Sequence, residues 1–125
     1  MNVKLKTKQI YDEHEEIQEA LHENIEVNRL EEKIIIELNN QKIVIDKKEC
    51  TLEILREKND ILIKQNEEKN LNYETPYGKI KMTTIGEEIQ IEENPLKIIV
   101  TYKITMNDQI KYKNQIEIVE INSEK

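Results

Sequence analysis

The stretch Leu96-Lys97-Ile98-Ile99-Val100-Thr101-Tyr102-Lys103-Ile104-Thr105-Met106 alternates with a period of two. Its even positions are Leu96, Ile98, Val100, Tyr102, Ile104 and Met106; the odd row reads Lys97, Ile99, Thr101, Lys103 and Thr105. Successive side chains of a strand point to opposite faces, so this pattern predicts a strand with one face on a core. Asn107-Asp108 tolerates the positive φ of a tight hairpin. The chain then resumes with Ile110, Tyr112, Ile116 and Ile118 against Lys111, Lys113, Gln115 and Glu117. An antiparallel hairpin with long arms follows.

Working backwards, Glu74-Thr75-Pro76-Tyr77-Gly78-Lys79 predicts a second hairpin tip. Pro76 presets φ for the turn, and Gly78 accepts the left-handed conformation that ends it. Leu71 and Tyr73 flank the turn on one side, Ile80 and Met82 on the other. Between Met82 and Ile89 the apolar parity switches, so one residue must be absorbed, and Gly86 is suited to a bulge or turn. Asn94-Pro95 supplies another turn. Earlier, Ile34, Ile36 and Leu38, a turn at Asn39-Asn40, and Ile43 and Ile45 give a short hairpin. Val3 and Leu5 alternate with Lys4, Lys6 and Lys8 as a first strand. Leu52 and Ile54, then Ile61 and Ile63, fit two strands around Asn59-Asp60.

Residues 12–33 read two ways. Ile17, Leu21 and Ile25 at i, i+4 and i+8 in a Glu-rich context fit an amphipathic helix, which propensity favours. The same residues, with Val27, also occupy one face of a strand. Residues 47–58 carry the same ambiguity.

Composition agrees with a β chain. Its 125 residues suit one domain, taken as residues 1–125. There are 22 Ile, 5 Val and 9 Leu against a single Ala and no Trp or Phe. Ile is stiff at χ1 and suits a pleated surface, whereas Ala is the best helix former. The formal net charge is −7, and residues 12–33 carry nine acids against Arg29 and Lys33. That segment reads as a solvated face or as a site for a basic partner. No run approaches the ~18 apolar residues of a membrane span, and no apolar stretch follows the basic start. A cytoplasmic protein is expected. Nucleic acid is disfavoured, because Lys4, Lys6, Lys8, Lys97, Lys103, Lys111 and Lys113 read as a solvated exterior balancing the acidic segment.

The Tyr-Glu-Thr-Pro-Tyr-Gly-Lys run at 73–79, the Leu-x-Ile-x-Val-x-Tyr strand at 96–102, the closing Ile-x-Ile and the Val-x-Leu-x-Thr start at 3–7 resemble the YwiB-like family. The resemblance spans nearly the whole chain. It implies an all-β domain: a single antiparallel up-and-down β-barrel of the calycin or lipocalin type. It also implies strand rather than helix for residues 16–28. The segments counted above come to about eight strands, the number at which an antiparallel sheet closes around packed side chains or one small ligand. Closure would pair the first strand near the last. The family supplies no catalytic or binding residues to carry over.

The chain shows no catalytic constellation. As metal ligands His14 and His22 would need a third donor, Glu23 or Glu26, but His22 and Glu23 point to opposite faces of a strand, so surface histidines and no metal site are expected. Lone Cys50 alternates with Leu52 and Ile54, which predicts a buried, inert thiol. Two glycines exclude a Gly-rich phosphate loop, and the single serine, Ser123, lies at the tail. No cofactor is implied. Tyr102 and Tyr112 fall on inward registers, and their hydroxyls either orient a ligand or bond to backbone, Asn114 or water. Tyr73 and Tyr77 flank the turn and cover one end. The leading expectation is a non-catalytic barrel holding a small apolar or amphipathic ligand, with Tyr102, Tyr112, Tyr73, Tyr77 and His22 as candidate contacts. The alternative is a structural barrel that docks a protein partner through its charged exterior.

Overall fold

The structure is a computed structural model that describes residues 1–57, 60–107 and 110–121. Among these are eleven strands: β1 (Asn2–Tyr11), β2 (His14–His22), β3 (Glu26–Arg29), β4 (Lys33–Glu37), β5 (Gln41–Asp46), β6 (Thr51–Arg56), β7 (Ile61–Lys64), β8 (Glu68–Thr75), β9 (Gly78–Glu92), β10 (Lys97–Met106) and β11 (Ile110–Ile121). They form a six-stranded sheet, β2-β1-β11-β10-β9-β8, and a five-stranded sheet, β3-β4-β5-β6-β7. All pairings within the sheets are antiparallel. Neighbours follow chain order except where β1 pairs with β11, the expected meeting of first and last strands.

The all-β, antiparallel expectation holds, with eleven strands where about eight were expected, and the ladders form two sheets that are not closed into one barrel. The ladders stay in two sheets because the chain leaves one and enters the other at two sharp corners. At the first, Asn24 takes φ 56 and ends the β2 ladder. There Asn24 N–H donates to Asn2 Oδ1 (2.9 Å), and Ile25 N–H donates to the Met1 carbonyl (2.9 Å). At the second, Asn66 takes φ 63 between β7 and β8. The corner rests on β9 through a parallel bridge between Gln65 and Gly86, with Asn66 N–H donating to the Gly86 carbonyl at 2.8 Å. Asparagine reaches positive φ at smaller steric cost than most residues, which suits both corners.

Turn chemistry accounts for most of the hairpins. Thr75 and Gly78 close the β8–β9 turn, where Gly78 takes φ 122 and Thr75 Oγ1 donates to the Gly78 carbonyl at 2.8 Å. Asp12 and Glu13, both at positive φ, join β1 to β2. The parity switch in β9 is a bulge: Tyr102 pairs with Gly86 and Thr101 with Glu88. The Asn107-Asp108 and Asn59-Asp60 turns fall partly on Asp108 and Asn59, outside the described residues. Residues 14–22 and 26–29 are strands, not helix. Cys50 is exposed rather than buried, because φ 57 places it in the turn before β6.

One core lies between the sheets. Ile34, Ile36, Ile45, Leu52 and Ile63 from the five-stranded sheet meet Val3, Ile98, Val100 and Ile118 from the other, with Leu96 just before β10, all buried. Removing this apolar surface from water is the main favourable term in folding. Near the end of the five-stranded sheet marked by Ile34, Ile45 and Leu52, a polar clasp joins the layers. Arg29 reaches Glu120 (3.5 Å) and Asn94 (3.4 Å), while Lys47 pairs with Glu93 (3.2 Å).

Candidate functional site

Away from that clasp the inward faces change character. Along β1 the inward row runs from Val3 and Leu5 to Thr7, Gln9 and Tyr11; along β11 it runs from Ile118 and Ile116 to Asn114 and Tyr112. β2 contributes Gln18 and Ala20, paired with Thr7 and Leu5. The five-stranded sheet ends over this region, where Gln41 of β5 pairs with Arg56 of β6. The result is a half-open cavity of about 410 Å³ between the sheets. Its walls are Leu5, Ile43, Ile54, Ile61 and Ile116; Thr7, Gln18, Gln41, Arg56 and Tyr102 supply polar groups. A smaller recess of about 220 Å³ shares Thr7, Gln18, Tyr102 and Ile116 with it and adds Asn114 and Glu16.

Tyr102 sits where the two meet and is 5% exposed. Asn114, its cross-strand partner, donates Nδ2–H to the Tyr102 hydroxyl oxygen at 3.3 Å. Burial holds the Tyr102 phenol above its ordinary pKa, partly offset by the Asn114 hydrogen bond and the positive charge of Arg56. Asn114 Oδ1 is buried without a hydrogen-bond partner among the described residues. The next strand offers Gly86 opposite Tyr102. Its missing side chain lets the Lys64–Gln65 backbone close over β9.

A larger outer groove, about 630 Å³, runs past Lys8, Gln65, Glu87 and Lys113. Three of its charged groups are already paired: Glu87 lies 3.4 Å from Lys103 and 3.9 Å from Lys113, and Lys8 lies 3.1 Å from Glu15. The inter-sheet cavity, with apolar walls and a few convergent polar groups, is the better ligand site on physical grounds. The outer row of β1 also answers the acidic segment, since Lys4 and Lys6 both reach Glu19, at 3.4 and 3.9 Å. Exposed pairs of this kind contribute little to stability.

Of the expected contacts, Tyr102 lines the cavity. Tyr112 is half-buried on the same face and packs on Tyr11 with ring centroids 5.1 Å apart. Tyr73 packs on the core in the β8–β9 hairpin, and Tyr77 at its tip is 98% exposed. His22 ends β2 opposite Val3, with His14 at the other end of that strand. These four side chains do not join Tyr102 in the cavity lining. No group of three His, Cys, Asp or Glu side chains is placed to hold a metal ion among the described residues. Arg56 is the residue sequence reasoning missed, although it shares the even register of Leu52 and Ile54.

A family model described as a domain of unknown function, DUF1934, matches residues 3–118. The chain belongs to the DUF1934 family. A crystal structure of the YwiB protein from Bacillus subtilis is similar in fold, with TM-score 0.66, covering 97% of this chain and 91% of that one at 13% identity. The family and this fold likeness together make the chain YwiB-like, as the turn at 73–79 and the strand at 96–102 suggested. No curated protein matches. Among the described residues, no helix is long and apolar enough to cross a membrane.

Proposed function

We propose that this protein is a non-catalytic cytoplasmic container that holds a small apolar or amphipathic molecule between its sheets, as a flattened, calycin-like barrel. The observation that carries the reading is the cavity of about 410 Å³ with aliphatic walls and a polar end. That volume lies within the ~300–1,000 Å³ of small-molecule sites. Docking of a protein through the charged exterior has weaker support, since Glu15 and Glu19 are already engaged by Lys4, Lys6 and Lys8.

Fluorescence titration with phenylnaphthylamine and with its sulfonated analogue, anilinonaphthalene sulfonate, tests this. Saturable binding of either dye, weakened roughly tenfold when Ala20→Trp fills the cavity, is the expected result. Failure of both dyes to bind, or binding that Ala20→Trp leaves unchanged, refutes it.

A further inference from the structure

Of the four strands that edge the two sheets, β2 is the longest, with nine residues against eight in β8 and four each in β3 and β7. Among the described residues it pairs with β1 alone, so one side of its backbone bonds to no other strand. Proteins blunt such edges with a bulge, a proline, a lysine or a covering loop. The register of β2 with β1 runs unbroken from His22 to His14, and the strand holds neither Pro nor Lys. Every residue from His14 to Leu21 is exposed, including Ile17 and Leu21 on the outer face. The acids of that face carry little net charge, because Glu19 is met by Lys4 and Lys6 and Glu15 by Lys8.

We propose that this edge pairs with β2 of a second copy of the chain, antiparallel about a two-fold axis at Gln18, so that the larger sheets of both copies become continuous. With the axis at Gln18, all nine residues of β2 are opposed. Ile17 then faces Glu19 of the second copy, Glu15 faces Leu21, Glu16 faces Ala20 and His14 faces His22. None of the three glutamates meets another. Moving the axis one residue to Ile17 sets Glu15 against Glu19, and moving it to Glu19 sets that residue against itself. Like charges directly opposite are destabilising, so the register of fullest overlap is also the one its neighbours cannot match. In it, Ile17 and Leu21 of both copies become diagonal neighbours, which removes from water apolar surface that one copy leaves exposed. A contact of this kind uses the same strand on both sides and closes at two copies. Gln18 and Ala20 keep facing the cavity, so the pairing does not depend on the container reading.

Sedimentation velocity of the full chain from about 10 μM to about 1 mM tests this, a range that covers a small interface. The expected result is a rise from monomer to dimer and no further. Leu21→Glu sets a carboxylate opposite Glu15 of the second copy at two symmetric places and should weaken the dimer roughly tenfold. Adding Glu15→Lys to that variant makes both places attractive and should recover the dimer. Tyr77→Ser removes an exposed ring far from the edge and should change nothing. A wild-type chain that stays monomeric throughout, or that grows past the dimer, overturns the proposal. So does a dimer indifferent to Leu21→Glu, or a double variant that folds by circular dichroism and stays monomeric. If that variant does not fold, wild-type amide hydrogen exchange decides: slowing with concentration confined to β2 supports the pairing, and unchanged β2 exchange overturns it.

Discussion

Replacing Gly86 with Ala strikes the place where the β7–β8 corner rests on β9. A Cβ at Gly86 would stand 2.5 Å from the Lys64 carbonyl oxygen, 2.8 Å from its carbon and 3.1 Å from Gln65 Cα. Ordinary contact begins at 3.4 Å, so the oxygen must retreat by about 0.9 Å (3.4 less 2.5). Because the obstacle is backbone, no rotamer change relieves it. The retreat pulls on the bonds that seat the corner: Asn66 N–H to the Gly86 carbonyl (2.8 Å), Gln65 N–H to the Cys50 carbonyl (3.0 Å) and Ile89 N–H to Gln65 Oε1 (3.1 Å). Overpacking costs about 1–3 kcal/mol, and losing one of these bonds about 0.5–1.5 kcal/mol. The sum centres on about 3 kcal/mol, a large share of the ~5–15 kcal/mol that holds a domain together. Urea denaturation followed by circular dichroism should show the midpoint lowered by on the order of 1.5 M. Gly78→Ala is the control: nothing lies within 4 Å of its Cβ, but φ 122 strains any side chain, for about 1 kcal/mol. An unchanged midpoint in Gly86→Ala would refute the close-approach argument.

Two further outcomes are expected. Burial raises the Tyr102 phenol above its ordinary pKa of 10.0, so above that pH the unfolded chain releases a proton that the native state keeps. The stabilisation is complete below the ordinary value and is lost as pH rises through the folded one. Denaturant midpoints should therefore fall more steeply above about pH 10 in wild type than in Tyr102→Phe, and equal slopes would contradict this. Glu120 Oε1 accepts from Leu96 N–H at 3.0 Å and pairs with Arg29 at 3.5 Å. Glu120→Ala should cost about 1–2 kcal/mol and Glu120→Gln, which keeps an acceptor, less than half of that; equal losses in urea titrations would count against the backbone contact.

The C-terminal half was readable because burial there alternates strictly. Leu96, Ile98, Val100, Tyr102 and Ile104 are all buried, and the parity switch located the Gly86 bulge. β2 misled for a physical reason. Ile17 and Leu21 lie on its outer face, 48% and 58% exposed, whereas Gln18 and Ala20 face inward. Its inner row lines an open cavity rather than a dry core, so the apolar residues did not mark the core side. The two corners were illegible because a single Asn at positive φ leaves no periodic trace. Tyr102 could be placed from parity alone. Arg56 could be placed on a face but not against Tyr102, because that requires knowing that β6 lies across the gap from β10.

The seating of β11 between β1 and β10 bears on how the chain is made. β11 is synthesised last of the eleven, yet it occupies an interior position in the larger sheet. On the ribosome, β1 and β2 form an isolated ribbon, and such a ribbon is marginal by itself. The ladder that unites them with β8, β9 and β10 joins residues almost the full chain apart, a late and slow kind of contact. Until it forms, β1 and β10 each present a bare row of peptide groups to other nascent polypeptides. Translation of β11 therefore seals the fold and withdraws both of those rows from foreign pairing.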